Sequence, residues 1–189
     1  MKIIFEEENS RAAAYEDTRL VGQCDVVRQK AFWIITHTEV DPAYGGKGIG
    51  GELVGCVMEA AKKAGVKVKP FCSYAAHLFA KNAVYAAMED KSVITVYGMK
   101  TCPDCTAVEE QIEGDANFRF VDIGEHVKNM KAFLQYRDAD PVFDAVRGKG
   151  VGIPCFVLED GTVTLTPEEV GLYSKPSEGA ACRVDGKGC

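Results

Sequence analysis

A cysteine motif in the middle of the chain limits the fold more than any other feature. The segment SVITVYGMKTCPDCTAVEEQI, residues 92–112, has the pattern of an apolar strand, a Cys-Pro-Asp-Cys turn and a helix. Two cysteines so placed suit thiol–disulfide exchange, because the helix dipole and the free amides favour a thiolate there. A unit of this kind begins with its strand, so the residues upstream must fold separately.

The chain divides between Met88 and Val93. A helical pattern ends at Met88, a charged stretch follows, and a new apolar run begins at Val93. A length of 189 residues accommodates two small domains. We therefore predict two α/β domains, residues 1–90 and 91–175, followed by a cysteine-containing tail, residues 176–189.

Composition narrows the function classes. The net charge is −6 and neither half of the chain is basic, so we expect no nucleic-acid partner and no anionic membrane partner. The N-terminal residues lack the apolar core of a signal peptide, and no run reaches the ~20 apolar residues of a membrane span. We expect a cytoplasmic protein, in which eight cysteines indicate reactive or metal-binding thiols rather than a disulfide framework.

Periodicity predicts an element order for each domain. The first follows β-β-β-α-β-α, with Ser73 as the cap of its last helix and Gly65 as the end of the helix before it. The second follows β-α-β-α-α-β-β-α, with Asp140 capping a helix that starts at Pro141.

The segment GGKGIGG, residues 45–51, joins an apolar strand to a helix. Gly46, Gly48 and Gly50 let the backbone wrap closely around an anion, and the helix dipole adds positive potential. The pattern predicts a site for a phosphate-like group. Its spacing is not that of the nucleoside-triphosphate loop, and a simple glycine-rich turn is the alternative.

Residues 5–88 resemble the small, single-domain branch of the GNAT acetyltransferases. The resemblance lies in HTEVDPAYGGKGIGGELV, residues 37–54, and GVKVKPFCSYAAHLFAKNAVY, residues 65–85. It implies a GNAT-like mixed sheet, acetyl-CoA as co-substrate and a small-molecule or protein amine as acceptor. It places pyrophosphate on the glycine loop and pantetheine along the preceding strand. The implied cofactor-binding residues are Thr38, Glu39, Val40, Gly46, Lys47, Gly48, Ile49 and Gly50.

Two residues of this domain are catalytic candidates. His37 ends the central strand and is placed to take a proton from the amine, or else it is a core histidine bonded to a carbonyl. Cys72 lies at a strand-to-helix junction, where a thiol can carry an acyl group, or else it is a small buried residue. Tyr74 and Tyr85 are candidates for the acid, with core packing as the alternative.

In the second domain we predict Cys102 as the helix N-cap and nucleophile, and Cys105 as the resolving thiol. A structural zinc or iron–sulfur site is the alternative. We expect no metal, because a structural zinc needs four ligands and the chain has no second Cys-x-x-Cys or His pair.

Residues 92–173 resemble glutaredoxins and related small redoxins. Besides the dithiol, Ile153-Pro154 precedes a buried strand and predicts a cis-proline loop. The resemblance implies a thioredoxin fold, with Lys100 contacting a substrate carboxylate and Ile153-Pro154 docking a thiol or disulfide substrate protein. It leaves open whether glutathione or another low-molecular-weight thiol is the reductant.

Two further hypotheses concern the whole chain. Cys182 and Cys189 in the tail are predicted to form a relay dithiol for the 102/105 pair, and the dithiol is predicted to keep Cys72 reduced. The alternative function is a first domain that binds CoA or acyl-CoA without turnover, beside an active redoxin.

Overall fold

The computed structural model describes residues 1–174, which form two compact units. The first contains Met1–Val93 with the short segments Leu158–Asp160 and Glu168–Gly171. The second contains Ile94–Val157, Gly161–Pro167 and the described residues from Leu172 onward. The tail cysteines Cys182 and Cys189 lie outside the described residues.

The first unit is built on a five-stranded sheet in the order β1-β2-β3-β4-β5. The strands β1 to β4 are antiparallel, whereas β4 and β5 are parallel. Within residues 1–174, β5 pairs with β4 only at residues 32–35, so no strand of that range lies on this side of the second half of β4. The strands are β1 (Lys2–Glu6), β2 (Arg11–Glu16), β3 (Arg19–Arg28), β4 (Phe32–Val40) and β5 (Lys67–Pro70).

Three α-helices follow the first four strands. After a 3₁₀ turn at Pro42–Tyr44 come α1 (Ile49–Ala64), α2 (Ser73–Lys81) and α3 (Ala83–Ala87). The apolar stripe of α1 is buried and packs with Trp33 and Ile35 of β4, together with Phe79 of α2. The sheet is thus covered by α1 on one face, which we call the α1 face.

The predicted order for the first unit lacks its first strand and the break in its last helix, which is divided at Asn82 into α2 and α3. The sequence predicts three strands ahead of the glycine loop, and the structure has four, because the short strand Lys2–Glu6 pairs with β2. Gly65 ends α1 as predicted, with a left-handed φ of 72°. Ser73 is the first residue of α2 rather than its cap, and Cys72 occupies the N-cap position.

The second unit contains a four-stranded sheet in the order β7-β6-β8-β9. The strand β6 is parallel to β7 and antiparallel to β8, and β8 is antiparallel to β9. The elements are β6 (Ile94–Gly98), α4 (Pro103–Ile112), β7 (Phe118–Asp122), α5 (Val127–Ala139), β8 (Cys155–Val157) and β9 (Val163–Thr164).

Two helices predicted for the second domain, residues 91–175, are shorter than expected. The segments Pro141–Ala145 and Pro167–Val170 are 3₁₀ turns rather than α-helices. Asp140 caps the first of them as predicted, since its Oδ1 accepts from Val142 N at 2.9 Å. Phe143 of that turn packs edge-on against Phe133 of α5, with ring centroids 5.9 Å apart.

A buried lysine fixes the end of the first unit to β5. The Lys69 side chain is 0% exposed, and its Nζ lies 2.8 Å from Asp90 Oδ1 and donates to Ser92 O at 2.6 Å. Burial acts to raise the pKa of Asp90, but hydrogen bonds from Lys69 and Ser92 outweigh it, and the pKa is lowered. Residues 90–92 are therefore part of the fold of this unit.

Candidate active sites

The glycine loop reaches α1 through two left-handed residues. Gly46 and Gly48 have φ values of 76° and 81°, which favour glycine, and Gly48 is an N-cap without a side-chain hydrogen bond. The exposed Lys47 between them lies over the Tyr44 ring, with Nζ 4.7 Å from its centroid. The loop therefore presents backbone, rather than a capping side chain, at the start of a 16-residue helix.

Tyr74 closes one side of this helix start. A Cβ on Gly50 would lie 3.0 Å from the Tyr74 hydroxyl, so a side chain at position 50 would displace the ring. Tyr74 is exposed and is not the core residue of the alternative interpretation. The sequence identified Gly50 as part of the loop, but not its contact with a residue 24 positions later, which only the fold brings near.

The end of β4 alternates between the two faces of the sheet. Thr38 Oγ1 donates to the buried Cys24 Sγ at 3.4 Å on the α1 face. Glu39 lies on the opposite face, where its Oε1 accepts from Gln23 Nε2 at 2.9 Å. Val40 packs against the α1-face core as a partly buried residue.

His37 also lies on the face opposite α1. Its side chain is 55% exposed, and its Nε2 is 3.6 Å from Glu39 Oε2. It is therefore not the core histidine that the alternative interpretation required. Asp25 on β3 is its cross-strand partner.

Cys72 stands apart from His37. It is half-buried, packs against the α1-face core and donates its backbone N–H to Ile35 O at 2.9 Å. The structure therefore places Cys72 and His37 on opposite faces of the sheet. Burial raises the pKa of the nearby Cys24 to about 12, so that thiol stays protonated at neutral pH.

In the second unit, the dithiol occupies the start of α4. Cys102 is the N-cap as predicted, without a side-chain cap, and Pro103 is the first helical residue. Cys102 is half-buried and Cys105 is buried. Burial, with the hydrogen bond to Cys102, raises the pKa of Cys105 to about 12, so Cys105 stays a thiol while Cys102 is the accessible sulfur.

The proline loop lies beside the strand that leads to the dithiol. The Ile153-Pro154 bond is cis, as predicted. Cys155 pairs with Tyr97, which brings Pro154 next to Gly98 at the end of β6. Burial raises the pKa of Cys155 to about 12, so this thiol is an inert core residue. Lys100 is exposed in the turn between Gly98 and the dithiol.

Gly98 is a site residue that the sequence interpretation missed. A Cβ at this position would lie 2.8 Å from the Phe120 ring and 3.1 Å from Cys105 Cβ. The strand can therefore approach the dithiol only with glycine here. A glycine closing a buried strand just before a Cys-x-x-Cys turn was the available signal.

Neither a metal site nor a membrane span is found in residues 1–174. No three or more His, Cys, Asp or Glu side chains in that range are grouped to hold a metal ion. None of the helices there is long and apolar enough to cross a membrane.

Comparisons with known proteins bear on the first unit. Residues 11–88 match the family model described as GCN5-related N-acetyl-transferase. The matched residues include the glycine loop, His37 and Cys72. A search of curated proteins gives no match.

Among solved structures, the chain is similar to N-acetylglutamate synthase from Neisseria gonorrhoeae, complexed with coenzyme A and N-acetyl-glutamate. The two are 14% identical, with a TM-score of 0.37. The alignment covers 59% of this chain and 27% of the synthase, so this chain spans about a quarter of its length.

Proposed function

We propose that the first unit is an acetyl-CoA-dependent N-acetyltransferase. The observation that carries the proposal is the GCN5-related family match over residues 11–88. The uncapped start of α1, reached through left-handed Gly46 and Gly48, supports it, because backbone amides at a helix start suit a pyrophosphate. The second half of β4 pairs with β3 on one side and, within residues 1–174, with no strand on the other, which gives pantetheine an edge to lie against at Thr38–Val40.

The acceptor is an amine, either a small molecule or a protein group. His37 is the proposed base: exposed and beside Glu39, it can take the amine proton as the nitrogen attacks the thioester. The Tyr74 hydroxyl, close to Gly50, is a candidate donor to the cofactor. Lys47 and Ile49 complete the proposed cofactor loop.

Transfer through an acyl-Cys72 intermediate is a second route. Cys72 is half-buried at the start of α2, a nine-residue helix without a side-chain cap, so its sulfur lies at the positive end of the helix dipole. On this route His37 is not the base for the thiol, because the two lie on opposite faces of the sheet.

Acetyl-CoA binding and turnover test the proposal. The full chain should bind acetyl-CoA in calorimetry and release CoA thiol when amines from a library are added. Mass spectrometry after incubation with acetyl-CoA, with and without reductant, should show whether Cys72 gains an acetyl group. No binding refutes the assignment, and binding without thiol release supports the rival function of a CoA-binding module.

For the second unit we propose thiol–disulfide exchange through Cys102 and Cys105. The supporting observation is the half-buried Cys102 sulfur at a helix start without a side-chain cap, in a hydrogen bond with the buried Cys105 thiol, whose pKa is raised. The strand order β7-β6-β8-β9 and the cis-proline loop beside Gly98 suit a glutaredoxin-like thioredoxin fold. The family match ends at residue 88 and does not bear on this unit.

The proposed exchange has two steps. The Cys102 thiolate attacks a substrate disulfide and forms a mixed disulfide, releasing one substrate thiolate. Cys105 then attacks Cys102 Sγ, which forms the 102/105 disulfide and releases the second substrate thiol. Ile153-Pro154 and Lys100 are the proposed contacts for a protein substrate, and glutathione or another low-molecular-weight thiol is the proposed reductant.

Trapping tests the redox proposal. A Cys105→Ser variant should accumulate a mixed disulfide at Cys102 with a model disulfide peptide, and the absence of any trapped species would refute the assignment.

All six cysteines of the described residues are free thiols, which suits the proposed cytoplasmic location.

A further inference from the structure

A row of hydrogen-bonded side chains crosses the first sheet on the face opposite α1. Arg11 on β2 donates from Nε to Glu6 Oε2 at 2.8 Å and from Nη1 to Gln23 Oε1 at 2.6 Å. Gln23 on β3 donates from Nε2 to Glu39 Oε1 at 2.9 Å. His37 stands next to the end of the row: its Nε2 lies 3.6 Å from Glu39 Oε2, a charge contact that is longer than a hydrogen bond.

The β1 end of the row is firmly held. Glu6 also accepts from the Tyr15 hydroxyl at 2.6 Å and from Asn9 Nδ2 at 2.8 Å. Hydrogen bonds from Tyr15, then Arg11 and Asn9, lower the pKa of Glu6 to about 2. Glu6 is therefore charged at any pH near neutral, and its charge keeps Arg11 in place.

The Gln23 side-chain amide connects Arg11 on β2 to Glu39 on β4, and the direction of its two hydrogen bonds is fixed. Arg11 can only donate, so it takes the Gln23 oxygen and leaves the NH₂ group to donate to Glu39. One oxygen of Glu39 is thereby occupied, and the other faces His37. Asp25 lies across from His37, where burial raises its pKa and the His37 and Arg11 charges lower it.

We propose that Glu39 is the positioning residue for His37. The charge of the free Glu39 oxygen, 3.6 Å from Nε2, favours the tautomer with the imidazole proton on that nitrogen, so Nδ1 presents its lone pair to the acceptor amine. This inference rests on the acetyltransferase proposed for the first unit. The hydrogen bonds from Glu6 to Gln23 hold the Glu39 carboxylate in place, and this carboxylate in turn orients the His37 imidazole.

The proton and electron pairs can be followed through the step. The amine nitrogen bonds to the acetyl carbon, the bond from that carbon to sulfur breaks with its electron pair on sulfur, and the amine proton passes to Nδ1. The imidazolium then faces the Glu39 carboxylate, which stabilises it. Its proton returns through solvent to the CoA thiolate.

Two-bond ¹H–¹⁵N spectra of the labelled full chain test the proposal without any turnover. The chain has three histidines, and a His37→Gln variant identifies the signals of His37. At a pH where His37 is neutral, the wild type should show only the Nε2–H tautomer. Glu39→Gln and Gln23→Leu should both move the ring nitrogen shifts toward a mixture of tautomers.

A matched control is Glu59→Gln, on the exposed side of α1, which should leave the His37 signals unchanged. Identical His37 shifts in the wild type and in Glu39→Gln would overturn the proposal.

Turnover supplies the second measurement, with any library amine that the wild type acetylates. Glu39→Gln should lower kcat about tenfold, by a larger factor than any rise in the KM for acetyl-CoA, and Glu39→Asp should recover part of the loss in kcat. A change confined to KM would contradict the positioning role. If no amine is acetylated, the acetyltransferase proposal fails, and the tautomer result still decides the role of Glu39.

Discussion

The helices of this chain start in two different ways. At α3 and α5 a side chain fills the start, because Asn82 Oδ1 accepts from Val84 N at 2.9 Å and His126 Nδ1 accepts from Lys128 N at 3.0 Å. At α1, α2 and α4 the N-caps are Gly48, Cys72 and Cys102, and none makes a side-chain capping bond.

The difference has an energetic meaning. A side-chain cap satisfies an orphan amide and is worth ~1 kcal/mol. A helix start that lacks one keeps its amides and its positive potential for an anion or a thiolate. The three starts without a side-chain cap carry the glycine loop, Cys72 and Cys102, so stability is given up where ligand chemistry is proposed.

Replacing the sulfur at α4 should have the largest effect. We expect Cys102→Ser to lower disulfide exchange at least about a thousandfold, because the hydroxyl is not a nucleophile at neutral pH. Reduction of a model disulfide peptide, with dithiothreitol as electron donor, measures the rate. Cys56→Ser, at a half-buried thiol of the first unit, should keep the wild-type rate. Substantial disulfide exchange by Cys102→Ser would show that another cysteine is the nucleophile.

Asp90, which pairs with the buried Lys69, should affect the stability of the protein and not its ligand binding. Asp90→Asn should lower the free energy of unfolding by about 3 kcal/mol at pH 7, because Lys69 is left buried without its counter-charge. Denaturant unfolding measures this.

The pH dependence follows from the lowered pKa of Asp90. In the wild type the contribution of the pair is complete above the ordinary Asp pKa of ~3.9 and is lost as the pH falls through the lower folded value. The difference between wild type and Asp90→Asn should therefore shrink in acid. A difference that is constant with pH would argue against the ion pair.

The two ends of α1 provide a matched pair of glycines. Gly48→Ala and Gly65→Ala each force alanine into a left-handed conformation, at roughly 1–2 kcal/mol of unfolding free energy. Only Gly48→Ala should also weaken the binding of acetyl-CoA, by about tenfold, since it distorts the loop that the cofactor would contact. Calorimetry compares the two. An equal loss of affinity at both positions would show a general effect of stability.

The smallest effect is expected from substituting the N-cap residues of α2 and α3, which should change only the free energy of unfolding. Serine is a better N-cap than cysteine, so Cys72→Ser should raise the unfolding free energy by about 0.5–1 kcal/mol. Asn82→Ala should lower it by about 1 kcal/mol. Thermal and denaturant unfolding measure both, and a destabilised Cys72→Ser would show that the thiol contributes packing to the core.

Local patterns in the sequence predicted the elements that local forces determine. The end of α1 at Gly65, the N-cap at Cys102 and the cis bond before Pro154 each depend on a few consecutive residues. The N-cap of α2 was predicted wrongly because Ser73 is the better capping residue, and the pairing of Cys72 N with Ile35 O decided the helix start instead.

The row from Glu6 to His37 was beyond such reasoning. Its members come from four strands, and the register shifts at Ala14/Tyr15 and at Asp25/Val26. One shifted residue moves every later side chain to the other face, so alternation in the sequence could not tell which face His37 takes. Its role as base and the role of Cys72 stay predictions.

The burial of Lys69 bears on how the two halves can be separated. Residues 88–90 run beside β5, with Val68 N donating to Met88 O at 2.9 Å and Asp90 N donating to Val68 O at 3.0 Å. A truncation at residue 89, within the charged stretch, would strip an ammonium group of its counter-ion and uncover the outer edge of a strand. A shortened chain that keeps the Lys69 contacts to Asp90 and Ser92 should therefore include residues 1–93.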